Sequence, residues 1–242
     1  MAFKKFLRKF RILIIRIIYR NALNVSLGAG TTLIIAPHPD DETIGCAGLI
    51  QQLLAAGKRV DIIYMTGGGK SHRGCCDIDE ATLIENRRSL AKASADILNL
   101  PHDNLHFLDY PDGWIAYECE ETGKLRNLLK ELNPEAIFIP HKGEGWSDHI
   151  KTGEIVKSLL QDNNKTSIYK YCVWFWYYNV WNINWENART VTMTHEQHMK
   201  KLQAMDAYTK PLAPCGKPWS GVLPEVFIWA NKWKKELYFK VK

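Results

Sequence analysis

His38, Asp40 and Asp41 fall together at the end of the run Leu33–Glu42, which reads LIIAPHPDDE. An imidazole beside adjacent carboxylates is a donor set for a divalent cation, since zinc accepts His and Asp ligands and a neighbouring free carboxylate can serve as a base. On this reading His38 and Asp41 hold the metal and Asp40 moves protons. The same letters also describe a turn, with Pro39 setting the bend and Asp41 or Thr43 capping the helix that follows. Capping accounts for one acid. It leaves unexplained a histidine flanked by two prolines with three acids behind it.

The apolar residues before Pro37 read as a buried strand, and ligands of open α/β sheets bind outside the carboxyl ends of such strands. Beyond a flexible link at Gly28–Gly30, strands are predicted over Thr32–Ala36, Val60–Met65, Leu105–Leu108, Ala136–Pro140 and Ile168–Trp174. Helices are predicted between them over Thr43–Ala56, Asp79–Leu98, Glu121–Leu132 and Asp148–Leu160. This alternation predicts an α/β, Rossmann-like, mostly parallel sheet with helices on both faces. His149 opens the helix after the fourth of these strands, and right-handed crossovers bring that strand end beside His38 and Asp41. It is the natural third ligand, because catalytic zinc commonly has three protein ligands and an open position. His141 lies just after the same strand and can touch the site or orient a helix. Asp148 can orient a ligand or cap its helix. The remaining histidines read as surface or structural residues. The run Gly67–Ser71 is not a P-loop, because Tyr64 stands where that motif needs glycine.

After residue 168 the pattern changes. Tyr169–Trp185 is crowded with Trp174, Trp176, Tyr177, Tyr178, Trp181 and Trp185, a composition suited to a sugar-stacking platform, an interfacial belt or the edge of a core. Thr194–Tyr208 reads as a helix, and Pro224–Ala230 and Leu237–Val241 as late strands. Residues 28–242 are expected to form one domain, a size ample for a single core.

The formal charge of +6 is concentrated in one place. Residues 1–20 carry seven cations and no acid, which leaves 25 basic and 26 acidic residues in the rest. A near-neutral body argues against a nucleic-acid surface. In the arm, residues 1–27, Phe3, Phe6, Leu7, Phe10, Leu13, Ile14, Ile17 and Ile18 recur at helical spacing. That basic amphipathic pattern suits a helix lying on an anionic membrane surface through residues 2–20; packing on its own domain or a second subunit, or an export signal, are the other readings. Arg16 breaks the best apolar run, so a spanning helix is not expected. The six cysteines form no CxxC pair, which argues against a thiolate zinc site. Adjacent Cys75 and Cys76 read as structural thiols, with metal binding or redox activity as the other readings. Nothing suggests a disulfide framework, which points to a reducing compartment. The expected location is cytoplasmic, peripheral at the inner face of the membrane; nothing in the sequence sets an oligomeric state.

His38-Pro39-Asp40-Asp41-Glu42 after a hydrophobic strand resembles the signature of the PIG-L/LmbE-like zinc-dependent N-deacetylases. The likeness runs from about Thr31 to about Leu160 and more faintly beyond. Further matches follow in order at His106–Gly113, Leu132–Pro140 and Ser147-Asp148-His149. The resemblance implies Zn2+, or another divalent ion such as Fe2+, on His38, Asp41 and His149, with Asp40 as catalytic base. It implies an N-acetylated amino-sugar substrate of the N-acetylglucosamine type, lipid-linked or a cell-surface glycan precursor. It also suggests substrate contacts by Arg73 and by Asp112, and a strand near Glu225–Trp229. Members commonly show His-Pro-Asp-His around the third ligand, whereas this chain has Trp146-Ser147-Asp148-His149. The helper-histidine position is thus a tryptophan, which offers an N–H donor but no titration near neutrality. His141 is then a candidate for the oxyanion role and Asp148 for orienting a ligand. The implied chemistry is metal-assisted amide hydrolysis, with Asp40 taking a proton from water and passing it to the departing amine. A non-catalytic membrane-associated protein and a zinc amidase or esterase on another substrate are the competing functions.

Overall fold

The computed structural model describes residues 2–26, 28–72, 77–161, 163, 165–178 and 183–241. Arg73, Cys75, Cys76 and Trp181 lie outside the described residues. In chain order the elements are α1 (Ala2–Ile18), β1 (Leu23–Asn24), β2 (Thr32–Ala36), α2 (Asp41–Ala55), β3 (Val60–Thr66), α3 (Glu80–Leu98), β4 (Leu105–Tyr110), α4 (Glu120–Leu132) and β5 (Ala136–Pro140). They continue with α5 (Ser147–Leu159), β6 (Ser167–Tyr171), β7 (Ala188–Thr192), α6 (His195–Thr209), α7 (Glu225–Asn231) and β8 (Lys235–Lys240).

Every residue of β2, β3 and β5 is buried, as expected of strands covered on both faces. Their side chains sort by the period of two. Ile34, Ala36, Ile62 and Tyr64 join a core with α2, α3 and α6, while Leu33, Ile35, Ile63 and Met65 pack against Leu125, Leu129, Ile155 and Val156 of α4 and α5. Each fully buried Leu, Ile or Met side chain among them contributes about 1.5–3 kcal/mol. The sheet order is β1-β7-β8-β6-β5-β2-β3-β4. Strands β6, β5, β2, β3 and β4 are mutually parallel, and β8 runs antiparallel to its neighbours β6 and β7. The chain leaves β2 toward β3 and β4 and returns on the other side at β5. The loops after β2 and β5 therefore open beside each other at the switch point, the usual ligand crevice of such sheets.

The C-terminal part departs from the pattern read in the sequence. The fifth predicted strand ends at Tyr171, and Trp174–Trp176 forms a 3-10 turn. The stretch predicted as a strand over Pro224–Ala230, and the strand suggested near Glu225–Trp229, is instead helix α7. Val226, Phe227, Ala230 and Asn231 are buried at helical spacing, and the Asn231 amide donates to the carbonyls of Val173 and Phe227. Strand β7 is an addition the sequence reading did not contain.

The basic arm packs on the body. Ile12, Ile15 and Tyr19 of this segment are buried with Phe175, Trp176, Val226 and Ala230, and β1 pairs with β7 at the sheet edge. Arg11 Nη2 donates to the carbonyls of Phe175 and Trp176, and Arg16 Nη2 donates to that of Ala230. On the opposite side Phe3, Phe6, Leu7, Phe10, Leu13, Ile14, Ile17 and Ile18 are exposed, each by 42% or more. Among the described residues no helix is long and apolar enough to cross a membrane.

Candidate active site

Asp40 and Asp41 separate where α2 begins. Asp40 is the N-terminal flanking residue at φ 136° and ψ −30°, a conformation L-residues rarely adopt, and its carboxylate makes no capping bond. Asp41 is the first helical residue, and its Oδ2 accepts from the backbone N–H of His38 at 3.1 Å. The acids are thus not spent on capping. Asp41 Oδ2 lies 3.3 Å from His38 Nδ1 and 3.3 Å from His149 Nε2, with the two rings 5.5 Å apart between centroids. The donor atoms of His38, Asp41 and His149 all lie within 4.8 Å of one another. The β2–α2 and β5–α5 connections bring together the three residues expected to meet.

The backing of both imidazoles suits a metal. His38 Nε2 lies 3.3 Å from Asp148 Oδ2 and 3.3 Å from Asp112 Oδ1. His149 Nδ1 lies 3.5 Å from Glu144 Oε2 and has no hydrogen-bond partner in this arrangement. Each ring therefore turns one nitrogen toward Asp41 and the other toward a carboxylate, as metal-bound histidines do when their second nitrogen is held by an acid. Burial opposes a charge on His38, but its hydrogen bonds to Asp112, Asp148 and Asp41 outweigh that and hold the imidazolium well above 6.5. For Asp41, too, burial is overcome, here by His149 and His38, so its carboxyl lies below the usual range. Such a negative cluster favours a cation at its centre. His38, Asp112 and Asp148 form a second group of possible ligands, sharing His38 with the first.

Asp40 lines the same cleft as the triad and is held from the other side by an arginine. Arg87 of α3 donates through Nη2 to Asp40 Oδ2 at 3.2 Å and to the Pro39 carbonyl at 2.6 Å, and through Nη1 to the Gly68 carbonyl at 3.2 Å. Burial pushes the Asp40 carboxyl up to about 8, against the pull of Arg87 and with the help of Asp41. A carboxylate poised there can exchange protons near neutrality. Gly68, at φ +66°, leaves room for this guanidinium; a Cβ there would stand 2.2 Å from Arg87 Nη1.

The triad opens into a cleft of about 370 Å3. Its walls include Lys70, Ser71, Asp112, Gly113, Trp146, Ser147 and Asp148, with Trp174, Ser220, Leu223 and Phe227 from the C-terminal part. Asp112 lines it, but Oδ2 already accepts from the Lys70 N–H at 2.8 Å and Oδ1 faces His38. Asp148 Oδ2 accepts from the Gly113 N–H at 2.7 Å, and its buried Oδ1 has no hydrogen-bond partner. Both acids thus back His38. His141 does not line the cleft. Its ring packs between Phe175 and Phe239, Nδ1 accepts from the Gly143 N–H, and burial, aided by Lys170 and Lys142, pushes it down to about 3. A neutral ring held there is poorly placed to meet an oxyanion in the cleft. Trp146, about half exposed, occupies the rim. Two residues take a larger part than the sequence assigns them. Arg87 lies in a helix that resembles the family's Arg-containing helix, with no partner indicated. Glu144, at the acidic position of the third-ligand motif, accepts from the backbone N–H groups of Val173, Trp174 and Phe175 and joins His149 to the aromatic turn.

The comparisons with known proteins agree with this architecture. The chain is 29% identical over 125 residues to a diacetylchitobiose deacetylase of Thermococcus kodakarensis, covering 50% of this chain and 45% of that protein. It is 25% identical over 154 residues to a 1D-myo-inositol 2-acetamido-2-deoxy-alpha-D-glucopyranoside deacetylase of a Mycobacterium species, covering 53% and 49%. It thus spans about half the length of these curated relatives. The fold matches that of the N,N'-diacetylchitobiose deacetylase from Pyrococcus horikoshii with a TM-score of 0.61, at 24% identity over 74% of this chain and 69% of the other. It also matches a deacetylase triple mutant of the teicoplanin biosynthetic pathway at 0.66, with 15% identity over 87% and 97%. Residues 33–160, more than half of the 242, match the model of the PIG-L family, described as GlcNAc-PI de-N-acetylase, and the chain belongs to that family.

Proposed function

We propose that this protein is a metal-dependent hydrolase that removes the acetyl group from an N-acetylglucosamine-type conjugate, lipid-linked or a cell-surface glycan precursor. The observation that carries the reading is Asp41 Oδ2 set 3.3 Å from one nitrogen of each of two imidazoles, with Asp40 beside it. Family membership and the names of the relatives support the amino-sugar substrate. His38, Asp41 and His149 are the residues that would hold Zn2+ or another divalent ion such as Fe2+. When bound, that ion would supply a Lewis acid that acidifies water and polarises the acetyl carbonyl.

The chain's own residues divide the remaining work. Asp40 takes a proton from the attacking water and returns it to the amine nitrogen as the C–N bond breaks, a role typically worth about 10²–10⁴-fold in rate. Arg87 keeps the Asp40 carboxylate ionisable and aimed. Asp112 and Asp148 hold His38 by its Nε2, which fixes the ring orientation. Trp146 and Trp174 give the cleft aromatic faces on which a pyranose can rest, and Lys70, Ser71 and Ser220 add polar groups for its hydroxyls. A lipid carrier would place the enzyme at the inner face of the membrane, in the cytoplasm.

The direct test loads the purified protein with Zn2+ or Fe2+ and offers N-acetylglucosaminyl lipid and short N-acetylated amino sugars. Stoichiometric acetate and free amine are expected from the native protein. Asp40→Asn should lose at least ~100-fold in kcat while still binding metal. No metal-dependent acetate from any N-acetyl sugar would overturn the proposal. Equal turnover by Asp40→Asn would remove Asp40 from its role. Release from ester or peptide analogues alone would favour the amidase or esterase reading.

A further inference from the structure

We propose that the outward face of α1 docks on an anionic phospholipid bilayer, with the elements that seat α1 also walling the cleft. The docking goes beyond the proposed deacetylase reading and stands without it.

The orientation of α1 is the central observation. Amphipathic helices ordinarily bury their apolar stripe against the domain. This one seats itself mainly through its basic side. Arg11 and Arg16 satisfy backbone carbonyls of the body, Arg16 also stacks 4.5 Å from the Trp229 ring centroid and 4.3 Å from that of Trp233, and Arg8 lies 4.0 Å over Tyr177. Only Ile12, Ile15 and the following Tyr19 add apolar contact on that side. The eight large apolar residues of the other face are left in water. An apolar surface of this extent, on the order of several hundred Å2, marks an interaction site.

Charge selects the occupant. Residues 1–20 hold seven cations and no acid, and among the described residues their one acidic partner is Glu225, paired with Lys5. At 3.6 residues per turn, Lys4 falls at one edge of the exposed apolar face and Lys9 at the other. A second copy would set one cationic helix against another, and like charges so opposed cost binding free energy. Anionic headgroups supply the missing countercharge while acyl chains take the apolar face. The helix is about 25 Å long, and none of the described helices meets the length and hydropathy of a span, so it lies flat.

The seat of α1 is also a wall of the cleft. Trp174 and Phe227 line the cleft 4.3 Å apart, and they belong to the 3-10 turn and to α7, the elements on which α1 rests. From the half-exposed Trp146 an aromatic path runs through Trp174 at 5.5 Å to Tyr177 at 5.8 Å, where Arg8 of α1 stacks. The elements that carry α1 on one side therefore line the cleft on the other, which couples the docking helix to the site.

The test uses the full chain. Co-sedimentation is measured with vesicles of equimolar phosphatidylglycerol and phosphatidylcholine and with phosphatidylcholine alone, for the native protein and for Phe6→Gln/Phe10→Gln/Leu13→Gln. Preferential binding to the anionic vesicles, weakened by salt and reduced ~10-fold or more in the triple variant, is expected. Unchanged melting temperature and unchanged acetate release from a short soluble N-acetylated sugar should accompany it. Equal binding by native and variant protein, or no preference for anionic vesicles, would overturn the docking surface. So would a native dimer that the variant converts to a monomer, since a second copy would then own the face. Vesicle binding without any acetate release would leave the docking standing and remove the deacetylase reading instead.

Discussion

Arg87 offers the sharpest test of how the base is tuned. Its Nη2 stands 3.2 Å from Asp40 Oδ2 inside the protein. Full charges at that distance attract by ~5 kcal/mol at an effective dielectric of ~20. The desolvation of both groups cancels part of this, and a surviving one to two pKa units corresponds to ~1.4–2.7 kcal/mol. Asp40 is already pushed up to about 8 with the guanidinium in place, so Arg87→Met should push it higher still. A base works deprotonated. Raising its pKa shrinks the active fraction at every pH below the new value, tenfold per unit. The acid limb of kcat/KM, followed by acetate release, should therefore move alkaline by ~1–2 units in Arg87→Met. Arg87→Lys keeps the charge and should hold the limb near its native position while losing part of the fork to the Pro39 and Gly68 carbonyls. Leaving a buried carboxylate and two carbonyls unmatched should also lower the stability of Arg87→Met by ~3–5 kcal/mol. A folded Arg87→Met protein with an unmoved acid limb would refute the reasoning, because Asp40 would then be ionising without help from α3.

Gly68→Ala should act through the same contact: its Cβ would displace Arg87, and the left-handed backbone adds strain, for ~1–3 kcal/mol and an alkaline shift of the acid limb. Gly57→Ala, at φ +68° with open space around it, should cost only the backbone part, about 1 kcal/mol in a urea melt. Lys201→Met strands the Glu236 carboxylate that also holds the N–H groups of Gly48 and Leu49, and a calorimetric Tm lower by ~6–15 °C is expected. For Asp61, burial is outweighed by His106 and Arg59, and its carboxyl lies below the usual range. A depressed carboxyl stabilises above its unfolded pKa and loses that contribution as pH falls through the folded value, so the gap between native protein and Asp61→Asn should close between pH 5 and strong acid in denaturant titrations.

The parallel half of the fold was legible because its central strands β2, β3 and β5 are short runs buried on both faces, each followed by a helix. His38, Asp41 and His149 followed from topology, since two strands on either side of a switch point must end side by side. The role of Arg87 was not legible. Its partners are a carboxylate 47 residues earlier and a carbonyl 19 residues earlier, and resemblance to an Arg-containing helix does not name them. Helix α7 was misread because Val226, Phe227, Ile228 and Trp229 have strand propensity. Burial against the aromatic turn decided otherwise, an override of local preference by packing. The arm was read correctly as a helix with one apolar face. Which face it would turn to the body depended on carbonyls and rings from residues 175 to 233, information that no local window contains.

The adjacency of Asp40 and Asp41 raises a question about how neighbours acquire different work. A regular helix start would set adjacent carboxylates about 100° apart around the axis. The φ of 136° at Asp40 breaks that regularity, aiming one acid at the imidazoles and the other at Arg87. Such a backbone costs of order 1–3 kcal/mol and persists only where the surroundings enforce it. The enforcing contacts are visible. Glu42 Oε2 accepts from the Asp40 N–H at 3.0 Å, and Glu42 Oε1 accepts from Tyr208 at 2.7 Å and from Thr43 at 2.7 Å. Tyr208 belongs to α6, well beyond residue 160, where the family match ends. The third acid of the motif therefore acts as a bracket rather than as a ligand, and its anchor comes from the part of the chain least expected to matter. Tyr208→Phe removes one hydroxyl from the interior and leaves every ligand in place. It should loosen the Asp40 backbone, lowering kcat more than it changes KM or metal affinity; a loss of metal affinity with kcat intact would mean that Glu42 serves the triad instead.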